Sequence, residues 1–468
     1  MSPAPVVVIG GGLAGPEAAW QLARRGLEVE LWEMRPHVST PAHRTAGMAE
    51  LVCSNSLKSE SLHTAPWLLK QELRQAGSLL LACADEAAVP GGQALAVDRD
   101  RFSAAVERSL AAEPRIRILR HEALEPPDVP VAILATGPLT APPLAAALAR
   151  LTGREHLYFY DAISPIVEAD SVNRDLAYPA SRYGKERASQ APGIGGRPTN
   201  GRPGAEPREK AARAAGEGDY WNCPLDREQY HRFRDALLAA PSYPLRAFEE
   251  ARYFEACLPL EELARRGPET LRFGPMKPVG LPDPRTGRLP HAVVQLRREN
   301  LRADSFNLVG FQNHLRFADQ AAVLRLIPGL EHARFLRFGQ VHRNSYLQAP
   351  AALDRTLQLR ARPGLFIAGQ LCGTEGYVEA IATGFLAGVF AAAAARGSEA
   401  TPPPRATALG ALLHYIAHGP LPDYVPANIS FDLLPPLAVP ERDRARRHQR
   451  QCESALAAFA AWLPQAPA

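Results

Sequence analysis

The sequence has little cysteine, little lysine and no long apolar run. Its six cysteines are widely spaced and none forms a C-x-x-C pair, so neither a disulfide framework nor a metal site is predicted. No uninterrupted run of about 18 apolar residues occurs, which argues against a membrane-spanning helix. The first residues, MSPAPVVVIGGG, lack the basic and long apolar regions of a signal peptide. We therefore expect a cytoplasmic protein with no membrane partner.

Charge of either sign is nearly balanced, with 53 basic against 49 acidic residues and a formal net charge of +4. Only five basic residues are lysines, so 48 are arginines. Arginine suits phosphate and carboxylate recognition. The many alanines and prolines indicate a genomic composition bias as the simpler explanation. Composition alone therefore neither requires nor excludes a nucleic-acid partner.

The length of 468 residues exceeds one ordinary domain core and predicts two domains, or one large domain with an insertion. Hydrophobic residues make up 46%, charged residues 22% and aromatic residues 7%. These values are typical of globular proteins and exclude a wholly disordered or fibrous chain.

The N-terminal segment has the pattern of a dinucleotide-binding unit. The apolar run 6–9 predicts a buried parallel strand, which leads into a G-x-G-x-x-G motif and then a helix that Gly26 ends. A second strand, 27–32, is followed by an acid that could bind a ribose 2′-OH, 18 residues beyond the motif. The motif would place helix N–H groups against a pyrophosphate. The predicted cofactor-binding residues here are Gly10, Gly11, Gly12, Leu13, Ala14, Gly15 and Glu33.

Two later segments extend this pattern. Residues 131–137 (VAILATG) and 365–369 (LFIAG) read as further apolar strands, and a second glycine-rich turn with a helix follows the latter. This arrangement resembles the two-segment FAD site of the glutathione-reductase-like flavoproteins, and the resemblance, rather than the spacing, selects FAD over NAD. It adds Gly369, Gln370, Gly373 and Gly376 to the predicted cofactor-binding residues.

The middle of the chain mixes strand-like and helical pieces and predicts an α+β insertion. The predicted fold class is α/β, a Rossmann FAD-binding domain in two parts, 1–159 and 336–468, with an insertion domain at 160–335. The C-terminal part predicts a last amphipathic helix over 439–463. Within the insertion, 186–215 has five Gly and four Pro, with five Arg and one Lys against three Glu. It predicts a flexible loop with no special role, the alternative being an arm that touches a nucleic-acid backbone.

Longer motifs occur together along the chain, among them AELVCSNSLKS, FYDAISPIVEADS, GEGDYWNCP, FGPMKPVGL, VGFQNHLRFADQ, VHRNSYL and LFIAGQLCGTEGYVEA. Together they resemble the folate- and FAD-dependent tRNA (uracil-C5) methyltransferases, the TrmFO family, over essentially the whole chain. The main departure is the segment 186–215, which interrupts a link that is usually short.

The resemblance implies methylation of C5 of the T-loop uridine, position 54, of tRNA, giving 5-methyluridine. The carbon would come from 5,10-methylenetetrahydrofolate and the electrons from reduced FAD, which NADPH or NADH recharges. The partners are then tRNA, folate and a nicotinamide nucleotide, and no obligatory protein partner is evident.

Two cysteines stand in the shared motifs, and the resemblance implies that both are catalytic. Uracil C5 is a poor nucleophile until a thiolate adds at C6, so a positioned cysteine suits this chemistry. Cys53 and Cys223 each have polar neighbours in sequence, unlike a typical core cysteine. The sequence does not assign which thiol attacks, and we expect a reactive thiol to show a lowered pKa or selective alkylation.

Folate carries a planar pterin and an acidic tail, which arginine, histidine, amide and aromatic side chains can bind. Such residues cluster in the motifs QNHLRF and HRNSY. The candidates for folate or tRNA contacts are Asn313, His314, Arg316, His342, Arg343 and Tyr346.

Three alternatives remain at this stage. A related FAD- and folate-dependent enzyme modifies the wobble uridine of tRNA but typically carries a longer helical C-terminal domain. A generic FAD oxidoreductase would not need the paired motif cysteines. A flavin-containing RNA chaperone would keep its function after both cysteines are replaced.

Overall fold

The structure is a computed structural model that describes residues 4–40, 42–153, 157–184, 218–243 and 258–465. The predicted loop 186–215 and Cys257 lie outside the described residues. Contacts divide the chain into two units. Unit 1 comprises Met1–Ala88, Val97–Phe159 and His342–Ala468, and unit 2 comprises Val89–Ala96 and Tyr160–Val341. The predicted domain boundaries, with an insertion domain at 160–335, stay a prediction.

The described residues form short strands, most of which belong to one large sheet in each unit. In chain order they are β1 (Val6–Ile9), β2 (Val29–Glu33), β3 (Ser56–Ser59), β4 (Ala88–Val89), β5 (Ala94–Val97), β6 (Ile116–Arg120), β7 (Ala132–Leu134), β8 (Leu157–Ile163), β9 (Ile166–Glu168), β10 (Tyr178–Pro179), β11 (Tyr220–Leu225), β12 (Ala292–Arg298), β13 (Ser305–Leu308), β14 (Phe335–Arg337), β15 (Gln340–Tyr346) and β16 (Leu365–Ile367).

The α-helices range from single turns to five turns in length. In chain order they are α1 (Ala14–Arg24), α2 (Ala65–Gln75), α3 (Leu79–Glu86), α4 (Arg99–Ala112), α5 (Pro142–Thr152), α6 (Arg227–Ala239), α7 (Leu260–Arg265), α8 (Thr270–Phe273), α9 (Phe317–Leu324), α10 (Ala349–Ala352), α11 (Tyr377–Ala395), α12 (Ala408–His418) and α13 (Arg444–Trp462).

Unit 1 is built on a five-stranded parallel sheet with the strand order β16-β7-β1-β2-β6. All four residues of β1 are buried, because a central parallel strand is covered on both faces and needs apolar side chains throughout. The carboxyl ends of β1, β7 and β16 share one edge, where ligands bind in open α/β sheets. The predicted α/β Rossmann class is confirmed.

Helix α1 begins at Ala14, so Pro16 is the third residue of the helix and lies in its first turn. Proline is tolerated there because the N–H groups of the first turn have no partner within the helix. Strand β2 likewise extends through Glu33, so the acid belongs to the strand and is fixed by its ladder with β6.

Helix α11 is the most apolar helix of unit 1 and follows the second glycine-rich turn. By length and composition alone it could cross a membrane, but most of the helix is buried inside the structure. Burial on nearly all sides explains a helix that is apolar all round. No other helix among the described residues meets the same criteria.

Unit 2 contains a six-stranded antiparallel sheet with the order β10-β11-β12-β13-β9-β14, packed on helices α6 to α9. Successive side chains of a strand point to opposite faces. In β11 this alternation places Cys223 and Leu225 in the apolar core, on the face opposite Asn222. The predicted α+β character of the insertion is confirmed.

Two helices close the chain. Helix α12 begins at a Thr407 cap, whose side chain accepts a hydrogen bond from the Gly410 amide. The terminal amphipathic helix is α13. It begins five residues after its predicted start because Asp443 caps its first turn. Its last residue is anchored by a bond from Trp462 Nε1 to the Thr401 carbonyl, 2.9 Å long.

Candidate active site

The first glycine motif forms a tight turn between β1 and α1 in unit 1. Gly10 has φ +112°, and a Cβ there would lie 2.4 Å from the Ala135 carbonyl oxygen. A Cβ on Gly15 would lie 1.8 Å from the Gly10 oxygen. A Cβ on Gly12, in contrast, would meet no atom within 4 Å. Gly10 and Gly15 are therefore packed against protein atoms, whereas Gly12 faces open space that a ligand could occupy.

The same turn leaves donors unused. The residue before α1 is Leu13, which has no side chain able to cap the helix. The first N–H groups of an uncapped helix carry partial positive charge and bind phosphate well. With the open space at Gly12, this end of α1 fits the pyrophosphate of a dinucleotide such as FAD.

The structure brings the second glycine-rich segment to the same place. A Cβ on Gly369 would lie 3.1 Å from the Ala14 Cβ. Further along, Gly384 of α11 packs directly on α1, and a Cβ there would lie 2.3 Å from the Ala14 oxygen. Because Gly384 carries no side chain at this contact, α11 can approach α1 closely. The two sets of predicted cofactor residues are thus neighbours, although more than half of the chain separates them in sequence.

Within the second segment, Gly373 and Gly376 have φ angles of +83° and +110°, which favour glycine. A Cβ on Gly373 would meet the Tyr424 hydroxyl at 2.3 Å. Gln370 lies in the short 3₁₀ turn Gly369–Cys372. These residues shape the turn that leads into α11.

Glu33 lies at the end of β2 with its carboxylate almost fully buried. It accepts hydrogen bonds from the Gly11 amide at 2.7 Å and from Arg35 Nε at 2.7 Å. Burial opposes its ionisation, but these bonds and the Arg35 charge outweigh burial and hold the pKa of Glu33 below its usual value. Its contact with a ribose stays a prediction. Arg35, which the sequence did not single out, is the partner that keeps this acid charged.

Cys53 lies in the loop that precedes β3 and is partly exposed. Its Sγ lies 2.8 Å from the hydroxyl oxygen of Tyr377, the first residue of α11. The same oxygen accepts hydrogen bonds from the amides of Cys53, at 2.8 Å, and Ser54, at 3.2 Å. The cysteine loop is therefore tied to the helix that starts at the second glycine turn.

Cys223 has a different environment from the one that its polar sequence neighbours suggested. Its side chain is fully buried in the core of unit 2, and burial raises the pKa of its thiol to about 12. Asn222 points to the other side of the strand, where its Nδ2 donates to the Tyr178 and Ala180 carbonyls. The expectation of a lowered pKa is thus wrong for Cys223 in this conformation, because strand alternation separates it from its polar neighbour.

Two of the predicted folate or tRNA contacts are occupied by internal bonds. Asn313 is buried, donates to the Phe311 carbonyl at 3.1 Å and accepts from the Leu315 amide at 3.3 Å. The Tyr346 ring is buried, and its hydroxyl donates to the Tyr424 carbonyl at 3.3 Å. Both residues support the structure around them.

The other four predicted folate or tRNA contacts lie in different environments, and the structure describes the side chains of only two of them. His314 is nearly buried, 3.3 Å from the Glu261 carboxylate. Arg316 is exposed at the start of α9. His342 and Arg343 lie in β15, and their side chains are outside the described residues. Arg316 and His314 belong to unit 2, whereas His342 and Arg343 belong to unit 1.

Sequence reasoning missed a buried polar cluster beside the second glycine turn. Lys58 Nζ donates to the fully buried Glu379 carboxylate at 2.7 Å and contacts Asn428. Asn428 in turn donates to the Glu375 carboxylate at 2.7 Å. The cluster fixes the turn against β3. The charged residues in SLKS and GTEGYVEA could have indicated this cluster. They lie in the motifs that supplied Cys53 and the second set of glycines.

One histidine-rich group occurs in the described part of unit 2. Ligand atoms of His231, Glu269 and His291 all lie within 4.8 Å of one another, with no ion present. Arg272 also pairs with Glu269, which places a positive charge at the group. The prediction of no metal site stays a prediction.

Comparisons with known proteins identify the family of the chain. Residues 5–192 and 205–399 match the family model described as glucose inhibited division protein A. A protein of Solibacter usitatus named methylenetetrahydrofolate--tRNA-(uracil-5-)-methyltransferase TrmFO is 58% identical over 461 residues, 97% of this chain and 98% of the relative. A protein of Koribacter versatilis with the same name is 54% identical over 97% of both chains.

The chain belongs to the TrmFO family. Among solved structures, Aquifex aeolicus GidA in its form II crystal is similar in fold, with a TM-score of 0.69 and 16% identity. It matches 99% of this chain but 73% of the GidA chain. The membership in TrmFO that the motifs predicted is confirmed. The gap between the two matched segments, residues 193–204, falls inside the segment 186–215 that departs from the TrmFO pattern.

Proposed function

We propose that this chain is a tRNA (uracil-5-) methyltransferase that uses methylenetetrahydrofolate as its carbon donor. The names of the near full-length TrmFO relatives support this reaction. The target is the T-loop uridine at position 54 of tRNA and the product is 5-methyluridine. The compartment is the cytoplasm, where tRNA and folate are both present.

One observation of the structure carries the proposal. Within unit 1, two glycine-rich turns meet at the N-terminal end of α1, and the helix that starts at the second turn holds Cys53 through Tyr377. The side chain of Tyr377 thus links the proposed nucleotide site to the partly exposed thiol of Cys53. A generic oxidoreductase has no need of a thiol held in this way.

The cofactor that fits the proposed nucleotide site is FAD. The Gly10–Gly15 turn and the N–H groups of α1 would hold its pyrophosphate, and the Gly369–Gly376 turn would face its other half. When bound and reduced, FAD supplies the two electrons that convert a methylene into a methyl group. NADPH or NADH serves as the external reductant.

The chain must also activate a base that reacts poorly. Addition of a thiolate to uracil C6 gives C5 the character of an enolate, which can attack an electrophilic carbon. Loss of the C5 proton, reduction of the transferred carbon to a methyl group and departure of the thiolate from C6 would then restore the C5–C6 double bond. Cys53 and Cys223 are the proposed groups for these steps. Cys53 is the accessible thiol in this conformation, whereas Cys223 can act only after its surroundings in unit 2 open.

Folate and RNA binding draw on polar groups outside the proposed nucleotide site. Arg316 is exposed and suits a carboxylate or a phosphate. His314, His342 and Arg343 remain proposed contacts, and Asn313 and Tyr346 act by shaping the surface near them. No RNA-binding module is recognisable in the sequence, so recognition would rest on RNA shape and on extraction of the target base.

The test is nucleoside mass spectrometry of an unmodified tRNA transcript. The transcript is incubated with the flavin-loaded protein, NADPH and methylenetetrahydrofolate labelled at its methylene carbon. We expect label in 5-methyluridine at position 54. A transcript with cytidine at position 54 and a Cys53→Ser variant are the matched controls, and both should remain unlabelled.

Other outcomes separate the alternatives. Label at the wobble uridine would favour the related wobble-modifying activity. NADPH consumption without label in any RNA, across several tRNA species, would contradict the methyltransferase and favour an oxidoreductase. Label transfer that survives loss of both cysteines would refute the thiol chemistry alone.

A further inference from the structure

The hydroxyl oxygen of Tyr377 has three hydrogen-bonding neighbours but only two lone pairs with which to accept. The amides of Cys53 and Ser54 both donate to it, at 2.8 and 3.2 Å. The Cys53 sulfur is a third neighbour and lies 2.8 Å from the same oxygen. A phenol oxygen has two lone pairs and one hydrogen.

The two amide donors occupy both lone pairs, since an amide N–H can only donate. If the thiol also donated, the oxygen would accept three bonds, and its own hydrogen would have no acceptor among these neighbours. A buried hydroxyl without an acceptor costs free energy. The arrangement that satisfies every group has the Tyr377 O–H donating to the Cys53 sulfur.

We propose that Tyr377 is a positioning residue that donates a hydrogen bond to the Cys53 thiolate and thereby favours ionisation and fixes the direction of that thiol. The inference rests on the proposed function for its role in the reaction, but its physical content concerns only these two residues. A donor to an ionised acceptor forms a stronger bond than a donor to a neutral one. The thiolate therefore gains more from Tyr377 than the thiol does.

Two further features fit this role. Burial, together with the nearby Cys53, raises the pKa of Tyr377 well above its usual value, so the phenol keeps its hydrogen when the thiol ionises. The amide bonds from Cys53 and Ser54 anchor the loop backbone to the same oxygen. One hydroxyl thus holds both the backbone and the sulfur of the cysteine relative to the start of α11.

The test measures the acidity of Cys53 without tRNA or folate. The flavin-loaded protein is treated with iodoacetamide at pH values from 5.5 to 10, and alkylation of Cys53 is quantified by peptide mass spectrometry. With Tyr377→Phe we expect the midpoint of the rate–pH profile to rise by about one unit, equal to about a tenfold slower alkylation at pH 7. Tyr415→Phe, which removes a hydroxyl that donates to the Val425 carbonyl, is the matched control and should leave the profile unchanged.

A purely structural role gives a different result. If Tyr377 only orders the loop, its loss changes the plateau rate at high pH and leaves the midpoint in place, which would overturn the proposal. Site-specific incorporation of fluorotyrosines at position 377 keeps the ring and grades the acidity of the phenol. We expect the Cys53 midpoint to fall as the phenol becomes more acidic, and an unchanged midpoint across the series would also overturn it.

Failure of this inference is distinguishable from failure of the proposed function. The alkylation profile requires neither RNA nor folate, and the nucleoside assay does not depend on which residue sets the thiol acidity. A wild-type protein that forms 5-methyluridine while the Phe variant keeps the wild-type midpoint would refute only the role of Tyr377.

Discussion

At the scale of single residues, the two motif cysteines differ in how readily their thiols can ionise and be reached. A thiol with a pKa of about 12 is ionised to about one part in 10⁵ at pH 7, which describes Cys223 in this conformation. Cys53 is partly exposed and faces a hydroxyl donor. Reactivity toward electrophiles follows the thiolate and its accessibility. The two residues should therefore separate clearly in a chemical assay.

We predict that native Cys53 is alkylated at pH 7 on the order of 100-fold faster than Cys223. Both should react at similar rates in urea, where burial is lost. The measurement is time-resolved alkylation followed by peptide mass spectrometry. Equal native rates would mean that the core around Cys223 opens frequently, which would in turn support direct participation of that thiol.

Gly12 allows a second prediction at this scale. A Cβ there meets no protein atom, so Gly12→Ala should leave the unfolding temperature of the flavin-free protein unchanged. The added methyl group would occupy the space through which the backbone approaches the pyrophosphate. We expect at least about a tenfold loss of flavin affinity, since tenfold corresponds to only about 1.4 kcal/mol.

The affinity is measured by titrating the apoprotein with FAD and following flavin fluorescence. Gly267→Ala in unit 2, where a Cβ would approach only the Thr270 hydroxyl, is the matched control. Wild-type flavin affinity in the Gly12 variant would place the pyrophosphate elsewhere.

At the scale of elements, a buried acid on one helix caps another. Glu72 of α2 is fully buried and accepts hydrogen bonds from the Ala408 and Leu409 amides, at 2.7 and 2.8 Å, at the start of α12. Burial raises the pKa of Glu72 to about 8, although the two amide bonds act in the opposite direction. The folded protein thus holds a proton that the unfolded chain releases near the usual carboxyl value.

The sign of the resulting pH dependence follows from linkage. A raised pKa in the folded state gives stability that is complete below the usual carboxyl pKa and is lost as the pH rises through about 8. We predict that this one group lowers the free energy of unfolding by up to about 1.4 kcal/mol per pH unit between pH 5 and 8. Glu72→Gln should remove that part of the slope.

The slope is obtained from urea unfolding at several pH values, followed by circular dichroism. Glu399→Gln, at an exposed position, is the control for loss of a surface charge. The loss of an acceptor in Glu72→Gln lowers stability at every pH, so only the slope is diagnostic. An identical slope in the Glu72 variant and in wild type would show that the carboxyl titrates normally.

At the scale of the whole molecule, the distribution of arginine raises the question of how tRNA is held. The segment 186–215 carries five of the 48 arginines, and its composition favours a loop without a special role. We predict that deletion of 186–215 leaves tRNA affinity and its dependence on salt unchanged. Each lost phosphate contact would lower the slope of log affinity against log salt by about 0.7 to 0.9.

The measurement is a titration of labelled tRNA at several salt concentrations. A variant in which the five arginines and the lysine of this segment are replaced by glutamine keeps the loop length and separates charge from length. A lower slope in both variants would establish the segment as an RNA-binding arm.

Much of the fold could be read from the sequence because its signals are local. Apolar β-branched runs marked β1, β7 and β16. Strands β1 and β16 lie within two residues of their predicted bounds, whereas β7 ends at Leu134, three residues before its predicted end. The glycines at positions 10 and 15 marked a turn whose geometry depends on the absence of side chains, and Gly12 marked the open space beside it. The ends of elements were less certain, as at α13, which begins five residues after its predicted start because Asp443 caps its first turn.

By itself, the sequence determined the family, the α/β class and the two glycine turns, since each depends on patterns of neighbouring residues. Only the tertiary structure decided that α11 packs on α1 through Gly384, that Tyr377 holds Cys53, and that Cys223 faces an apolar core. Such contacts join residues far apart in the chain, and sequence spacing carries no record of which distant atoms will meet. For Cys223 the strand alternation decided the outcome, because the neighbour in sequence points to the opposite face of the sheet.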